Sequence, residues 1–532
     1  MEHRLGVVLH VLLGVGLLFV AVVALVDPRE PSMTYSTWRV LVCMLALLAV
    51  SLLSSWAARR WNGPQRRHGR RRVPGRVTAA VVALAGAAGC TVLAWLLRYD
   101  VGWDAGVVAG MAQRLHGGQT LTTYQAGYLS RYPNNLPLLV VDRACERVAA
   151  LVGATPGQVF VLLNGVGLAA TLLATAWLVR MLRGPRAALV AQGLVLALVG
   201  LSPWMTVPYT DLLAMPLVVA GTACVVAAGR TSDRRRLLVL ASVSALCLLL
   251  AYEVKSTPVV SAVAVVLVVV LAWLGGRRHP AGRRAVLVAL ASGLTVLVLG
   301  ALLARPALPA MAGVPAGSID RSRTATTPWW VYMATTQHPV DGRMRYGGYD
   351  PEIVRATNRM DGEQAGQWAL PRLEHRLQAL GAPGYARFLA AKAAWNWGDG
   401  MFWAWGEGHD AAEHPLARGR AASFVQTWNR PDGAAWVWRT SMTQALWLAL
   451  LLVAALRLLR TPWRPGTGLL VLSILGIAAF TLVFQGRSRY LLVYVPVLAA
   501  LVTALPAPAW RRGAPTNRPA GPGAPTTSGR DG

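Results

Sequence analysis

Charged side chains are scarce in this sequence. Only 14% of its 532 residues are Asp, Glu, Lys or Arg, whereas 55% are hydrophobic. Acidic residues are the scarcer group, at 23 against 52 basic ones, so the formal net charge is +29. A soluble nucleic-acid-binding protein with this charge would be far more polar, and a disordered chain would be far less apolar. The composition is typical of a polytopic membrane protein, and no nucleic-acid partner is expected.

Cysteine and histidine patterns are also missing. There are five Cys, four of them in apolar runs, and no CxxC pair, so neither a disulfide framework nor a thiolate metal site is expected. His338, His375, His409 and His414 lack metal-ligand spacing, which argues against a zinc site. Lysine is nearly absent: apart from Lys255 and Lys392, every basic residue is Arg.

Long apolar runs dominate what is present. The first has no A-x-A cleavage site after it and is predicted to be an uncleaved span. Many of the 21 Trp lie near run ends, as in an interfacial aromatic belt. Twelve runs are long enough to cross a membrane, or nearly so: 6–26, 38–58, 77–97, 158–182, 187–200, 212–228, 237–252, 258–275, 285–303, 436–456, 467–484 and 489–505.

Arginine clusters predict the orientation of these spans. They occur at 59–76, 180–186, 229–236, 277–284 and 457–464. With twelve spans and a cytoplasmic N-terminus, every cluster falls on the cytoplasmic side, as the positive-inside rule requires. A thirteenth apolar run, 136–152, contains four charged residues, and each Arg or Asp near the bilayer centre costs roughly 2.5–3.5 kcal/mol. We therefore predict that 136–152 is an amphipathic helix on the outer surface.

The predicted fold is an all-α polytopic membrane protein with about twelve transmembrane helices and both termini in the cytoplasm. Outer surface helices and one extracytoplasmic insertion complete it. Residues 304–435 hold 14 basic and 12 acidic residues, which is typical of a folded extracytoplasmic unit. The segments are 1–76 (two additional spans and a basic loop), 77–303 (membrane core, with the first outer loop at 98–157), 304–435 (the insertion), 436–505 (C-terminal spans) and 506–532 (a disordered cytoplasmic tail).

Several polar residues lie just beyond the apolar runs. Asp100 and Asp104 follow the third run, where a partly desolvated carboxylate can act as a general base; alternatively, Asp104 caps a helix beginning at Ala105. Asn134 and Asn135, after Tyr132 and Pro133, could bind sugar hydroxyls, although a turn with an Asn cap is the simpler interpretation.

Three further positions allow two interpretations each. Asp211 is either a helix cap or a second carboxylate facing a shared cavity. Lys255 either binds phosphate or forms a solvated pair with Glu253. Arg487 and Arg489 run against the inward charge bias and suit bidentate phosphate binding, the alternative being contact with lipid head groups. The aromatic stretch 395–405 either stacks on sugars or anchors in the membrane interface, and anchoring is the simpler interpretation.

In this order, the motifs resemble those of the GT-C superfamily of integral-membrane glycosyltransferases, and more narrowly bacterial proteins related to the family 39, dolichyl-phosphate-mannose-type mannosyltransferases. The resemblance covers about 77–505. It depends on Trp103-Asp104-Ala105-Gly106, Tyr132-Pro133-Asn134-Asn135, Tyr209-Thr210-Asp211, Lys255-Ser256-Thr257, Trp397-Gly398-Asp399-Gly400 and Arg487-Ser488-Arg489-Tyr490.

The resemblance implies an enzyme, an inverting hexosyltransferase with its active site on the extracytoplasmic face of the cell membrane. The donor is a polyprenyl-phosphate sugar, with mannose as one candidate. The acceptor is a cell-envelope glycan, lipid or protein. Asp104, or else Asp100, is the catalytic base. Asp211 orients the acceptor or binds a divalent cation (Mg or Mn). The implied substrate-binding residues are Tyr132, Asn134, Asn135, Asp211, Lys255, Arg487, Arg489 and Tyr490.

Two other classes of function remain open from the sequence. Twelve spans with cytoplasmic termini are also common in transporters and lipid flippases, which usually have repeated halves and ionisable residues near mid-membrane. The sequence contains no internal repeat, and its spans are nearly free of charge. A non-catalytic partner of an assembly or polymerase complex is the third possibility.

Overall fold

A computed structural model describes residues 2–28, 35–61, 75–275, 279–340, 343–405 and 415–506. Most of the predicted basic loop (62–74) and all but the first residue of the predicted tail lie outside these ranges. The first eleven helices are α1 (Glu2–Val26), α2 (Thr37–Trp61), α3 (Arg76–Leu97), α4 (Trp103–His116), α5 (Thr123–Arg131), α6 (Leu136–Val152), α7 (Pro156–Leu182), α8 (Pro185–Val195), α9 (Thr210–Ala228), α10 (Arg234–Val254) and α11 (Val259–Leu274).

Nine more helices and one hairpin follow. The helices are α12 (Arg283–Met311), α13 (Thr327–Met333), α14 (Pro351–Thr357), α15 (Gly362–Trp397), α16 (Arg420–Asn429), α17 (Trp436–Arg460), α18 (Pro465–Val483), α19 (Arg489–Leu492) and α20 (Val495–Ala504). Strands β1 (Gln337–Val340) and β2 (Arg343–Tyr346) pair antiparallel, with Gln337 opposite Tyr346.

The predicted apolar runs are helical. Within the described residues, eight helices are long and apolar enough to cross a membrane: α1, α3, α7, α9, α10, α12, α17 and α18. Four shorter apolar helices, at Thr37–Leu53, Pro185–Gly200, Val259–Leu274 and Val495–Ala504, account for the other four runs. The all-α, multi-pass class is therefore confirmed, while the count of twelve spans and their orientation stay predictions.

Two of the shorter runs are interrupted. After α8, residues Leu196–Gly200 form a π-helical turn and Pro203–Thr206 a 3-10 turn. Wider turns of this kind often occur near functional sites. The last run is divided into α19 and α20. Interrupted backbone at membrane depth must be enclosed by protein or line a cavity. Both interruptions border the cluster described below.

The two N-terminal helices are part of the bundle. α1 packs against α17, and α17 also packs against α2. Elsewhere α7 packs against α3 and α9, and α9 packs against α10. Tyr35, between α1 and α2, donates its hydroxyl hydrogen to Asp399 Oδ1 at 2.6 Å. The first two spans therefore support a residue of the insertion.

The insertion packs onto the first loop. Its small core contains Trp329, Tyr332, Met333, Ile353, Ala365 and Ala369. Arg131, at the end of α5, donates from Nη2 to Thr357 Oγ1 at 2.7 Å, and its guanidinium lies 5.0 Å from the centre of the Trp329 ring. The amide of Ala325 donates to the carbonyl of Arg131 at 3.2 Å. These contacts hold α13 and the end of α14 beside the first loop.

Helix α6 spans the predicted amphipathic segment. Its buried face includes Leu138, Leu139 and, unexpectedly, Asp142. Burial, with a smaller contribution from Glu146, raises the pKa of the Asp142 carboxyl well above its usual range. A protonated carboxyl avoids the cost of a buried charge, which explains how this residue lies on the apolar face.

Candidate functional site

Asp104 lies in the first turn of α4. The helix begins at Trp103 with Gly102 as its N-cap, so the interpretation of Asp104 as the cap is wrong. Tyr128 donates its hydroxyl hydrogen to Asp104 Oδ1 at 2.8 Å, and Tyr209 donates to Oδ2 at 3.1 Å. Each carboxylate oxygen has a second lone pair, so Asp104 can still accept a hydrogen bond from a substrate hydroxyl.

Asn135 supports the hydrogen bond between Tyr128 and Asp104. Its Nδ2 donates to the hydroxyl of Tyr128 at 2.7 Å, and it forms no side-chain cap on α6. Burial, and then the Asp104 charge, raise the pKa of Tyr128, so its phenol keeps the proton that it donates. Asn135 is itself buried, whereas Asn134 and Asp100 are exposed. The tyrosine hydroxyls therefore distinguish Asp104 from Asp100.

A cationic cluster lies on the other side of Tyr209. Lys255 Nζ is 2.8 Å from Asp211 Oδ1, and Arg489 Nε is 4.0 Å from Asp211 Oδ2. The Arg489 guanidinium lies 4.7 Å from the Tyr209 ring centre, and Lys255 lies 5.0 Å from that of Tyr490. Tyr209 thus contacts Asp104 through its hydroxyl and the cations through its ring.

These contacts correct three expectations from the sequence. Asp211 does not cap its helix, because the N-cap of α9 is Tyr209 and the Asp211 side chain is 1% exposed beside Lys255. Lys255 is 7% exposed, so the prediction that its side chain is solvated is wrong. Arg489 is 6% exposed, which excludes contact with lipid head groups as its main role. Buried charges of this kind need partners, and each cation here has a carboxylate or aromatic face.

Arg487 occupies a different position from Arg489. Its guanidinium lies 3.9 Å from the centre of the Trp403 ring and 5.4 Å from that of Trp103. Since Trp103 precedes Asp104, Arg487 is on the Asp104 side of the cluster. The two arginines therefore pack against different rings: Arg487 against Trp103 and Trp403, and Arg489 against Tyr209 and Tyr490.

Asp399 fixes the loop that carries both arginines. Its carboxylate, 1% exposed, accepts hydrogen bonds from the Ser488 hydroxyl at 2.6 Å, the Tyr35 hydroxyl at 2.6 Å, the Met401 amide at 2.9 Å and the Trp403 amide at 2.6 Å. Ser488 lies between Arg487 and Arg489. Asp399 is therefore a positioning residue for the arginine loop (485–490).

The aromatic stretch around Asp399 is buried. Trp397, Trp403 and Trp405 are 4%, 7% and 2% exposed. Anchoring in the membrane interface requires rings that reach the lipid, so the anchoring interpretation is wrong for these three residues. They instead form the packed support of the arginine loop.

Replacing Asp399 should destabilise this support. In Asp399→Asn the side-chain NH2 group faces one hydroxyl and one backbone N–H. The hydroxyl can rotate and accept, but the buried backbone N–H loses its acceptor, at a cost of about 1–3 kcal/mol. We expect a clear fall in the melting temperature of the purified protein. Tyr35→Phe removes one of the four donors and should lower it much less. Equal melting temperatures for the two variants would contradict the assigned role.

Lys392 supports the same loop from α15. Its ammonium is completely buried and donates to the carbonyls of Ala334 at 2.8 Å, Leu482 at 2.9 Å and Phe484 at 2.8 Å. The last two are at the end of α18, where carbonyl groups lack helical partners and a positive charge is favourable. Asn396 Nδ2 donates to the Thr481 carbonyl in the same turn at 3.2 Å. The arginine loop follows directly.

Gly347 is required by this close approach. Its φ is +63°, and a Cβ atom at this position would lie 2.4 Å from Lys392 Cε. Its carbonyl accepts a hydrogen bond from the Gly486 amide at 3.0 Å. Gly347 therefore joins the insertion to the arginine loop beside Lys392.

The buried lysine predicts a pH dependence of stability. Burial lowers the pKa of Lys392 to about 7, whereas the pKa of a lysine in an unfolded chain is about 10.4. Between these values the unfolded chain binds more protons, so stability should rise with pH from about 7 towards 10, by at most about 1.4 kcal/mol per pH unit. Thermal unfolding at pH 7 to 9.5 should show this rise in the wild type. Lys392→Met should lack this pH-dependent component, and identical pH slopes for the two proteins would contradict the assignment.

The sequence motifs did not single out Tyr128, Lys392 or Tyr349. Tyr128 and Tyr349 stand in polar stretches of sequence that contain several aromatic residues, so nothing local marks them. Lys392 had a usable signal, because it is one of only two lysines in a chain with 50 arginines, and both lysines are buried. In the sequence, Tyr209 stood out only as part of the motif Tyr209-Thr210-Asp211.

The described residues contain no group of three or more His, Cys, Asp or Glu side chains that could hold a metal ion. Asp211, the residue considered for a divalent cation, is already paired with Lys255.

The apolar helices and the polar cluster at their ends define a multi-pass integral membrane protein. The model of a family described as a conserved hypothetical integral membrane protein matches residues 2–509, and the chain belongs to this family. No curated protein and no solved structure matches the chain.

Proposed function

We propose that this protein is a membrane glycosyltransferase of the GT-C type that moves a sugar from a polyprenyl-phosphate sugar to an acceptor. One observation supports this most directly. Asp104 and the cations Lys255 and Arg489 are connected through one side chain, Tyr209, which contacts the carboxylate with its hydroxyl and the cations with its ring. A base for the acceptor and positive charge for a phosphate thus lie on opposite sides of one residue.

The reaction is a direct displacement with inversion at the anomeric carbon. The acceptor oxygen forms a bond to this carbon while the bond from the carbon to the phosphate oxygen breaks. Asp104 takes the proton of the acceptor hydroxyl, and the electron pair of the broken bond leaves with the polyprenyl phosphate. An ionised phosphate needs no general acid, and fixed positive charge stabilises the charge that develops on it.

A neighbouring groove suits the lipid part of such a donor. It has a volume of about 320 Å³ and lies between α3, α16, α17 and the π-helical turn, with Leu97, Leu201, Phe424 and Trp428 in its lining. Ser202, also in the lining, caps the 3-10 turn that contains Trp204, whose ring centre is 6.0 Å from the Arg489 guanidinium. The turn that contributes Ser202 to the groove therefore also contributes Trp204 to the surroundings of Arg489.

The orientation predicted by the arginine clusters assigns this chemistry to the extracytoplasmic side. Polyprenyl-phosphate sugars can be reached there from the membrane, and the acceptor belongs to the cell envelope. A divalent cation is not required by the proposed step, because Lys255, Arg487 and Arg489 provide positive charge near the leaving group.

The test is sugar transfer in membranes that contain the full-length protein. Radiolabelled polyprenyl-phosphate sugars, mannose first, are supplied together with an envelope extract as the source of acceptors. We expect a labelled product that is absent from membranes without the protein. Movement of the labelled lipid across vesicles with no product would instead favour the transporter class.

A further inference from the structure

Three exposed aromatic side chains lie near Asp104 in sequence or within electrostatic range of it. Trp103, Tyr124 and Tyr349 are 44%, 70% and 40% exposed. They come from three separate segments: the start of α4, the start of α5, and the loop before α14 in the insertion. We call these three residues the aromatic rim. Exposed aromatic rings that come together from separate segments are typical of a binding surface.

The hydroxyl of Tyr349 lies within electrostatic range of the site. Burial raises the pKa of Tyr349, the charges of Asp104 and Tyr124 add to this, and Arg487 opposes it. The Trp103 ring centre is 6.5 Å from that of Tyr349, with the rings edge to face. Trp103 therefore contacts both Tyr349 and Arg487 and directly precedes Asp104, so these four residues border one space.

The position of the Trp103 ring is imposed by its backbone. Its φ of +53° is unusual for a residue with a side chain, and such strain persists only where the surroundings enforce it. The ring packs edge to face with Trp403 at 5.4 Å. Gly106 allows the tight turn, because a Cβ atom there would lie 2.4 Å from the Val101 carbonyl oxygen. A ring that only anchored the protein in lipid would need no such fixation.

The chemistry of this space matches a carbohydrate. The faces of a pyranose ring carry C–H groups that pack against aromatic rings, while its hydroxyls donate to carboxylates and accept from guanidinium and phenol groups. The rim provides the rings, and Asp104, Arg487 and Tyr349 provide the polar groups. An acyl chain has no groups that could form hydrogen bonds with these side chains.

We propose that the aromatic rim is an acceptor subsite and that the acceptor is a carbohydrate, whose ring packs against Trp103 and Tyr349 and directs one hydroxyl towards Asp104. The role of the bound carbohydrate as an acceptor rests on the proposed transferase function, whereas the binding of a carbohydrate does not. The proposal selects a glycan among the glycan, lipid and protein acceptors that the sequence left open.

The test separates binding from transfer. Full-length protein in lipid nanodiscs, free of sugar-based detergent, is mixed with mannobiose, cellobiose or maltotriose, and binding is followed by saturation-transfer NMR without any donor. We expect the wild type to bind at least one of them. Trp103→Ala and Tyr349→Ala should each weaken binding about tenfold, which corresponds to the loss of an aromatic contact of about 1.4 kcal/mol. Tyr349→Phe, which keeps the ring, should retain most of it.

The matched control is Trp273→Ala. Trp273 is 61% exposed, but it lies near the end of α11, roughly 20 Å along the helix from its start near Lys255. Trp273→Ala should bind the oligosaccharides as the wild type does. Absence of binding to all three sugars, or equal binding by Trp103→Ala, Tyr349→Ala and the wild type, overturns the proposal. Sugar binding that these variants lose, without transfer from any lipid-phosphate sugar, supports the subsite and removes the transferase function.

Discussion

Asp104→Asn should reduce sugar transfer by about 10²–10⁴-fold, the range expected when a general base is lost. The amide has nearly the same shape and can still accept from Tyr128 or Tyr209 through its oxygen. It cannot take a proton from an acceptor hydroxyl. The rate of product formation at saturating donor is the quantity to measure, and binding of the oligosaccharides should change little.

Asp100→Asn is the matched control for this experiment. Asp100 precedes Asp104 by four residues, outside α4, and is exposed, and the tyrosine hydroxyls donate to Asp104 instead. We expect Asp100→Asn to keep most of the wild-type rate. Undiminished transfer by Asp104→Asn removes Asp104 as the base, and a large loss in Asp100→Asn alone would assign that role to Asp100.

Arg489→Gln should lower kcat/KM for the lipid-phosphate sugar by about 10²–10³-fold, the usual effect of removing one group that stabilises transition-state charge. Arg489 is buried against the rings of Tyr209 and Tyr490, so its charge is weakly screened by water. Folding should be less affected, because Asp211 keeps Lys255 at 2.8 Å. Arg489→Lys keeps the charge but loses the planar guanidinium, and an intermediate rate is expected.

Arg372→Gln controls for a general effect of removing positive charge. Arg372 is exposed on α15, where its guanidinium packs against Trp368 at 4.1 Å, within the insertion. The sugar-transfer rate of Arg372→Gln should equal that of the wild type. A melting temperature of Arg489→Gln as low as that of Asp399→Asn, with rates reduced in proportion, would indicate a structural role for Arg489 rather than charge stabilisation.

Sequence patterns identified the polar residues of the site but not their contacts. Asp104, Asp211, Lys255, Arg487 and Arg489 stand out because each follows or precedes an apolar run, where charge is costly unless it is used. The pattern could not distinguish a cap from a base at Asp104, since both place a carboxylate at the start of a helix. The two tyrosine hydroxyls that settle its environment come from a different helix and a different loop.

The supporting residues were less accessible to sequence reasoning. Asp399 accepts a hydrogen bond from Tyr35, a residue 364 positions earlier in the chain, and Lys392 caps a helix that begins far downstream. Interactions of this range leave no periodic signal in the sequence. The Trp-rich stretch even suggested an interfacial anchor, because aromatic composition is similar in a membrane belt and in a packed turn.

The amino-acid sequence by itself determined which segments are apolar enough to lie in a membrane and which are polar enough to lie in water. Apolar runs of sufficient length must form helices in a membrane, since every backbone polar group needs an internal partner there, and this gives the all-α, multi-pass class. Only the tertiary structure decided which loop ends meet. It brings Asp104, Tyr209 and Arg489 together and turns Trp103 and Tyr349 towards them, because helix packing and the contacts of the insertion with the first loop select one arrangement among many that the same runs would permit.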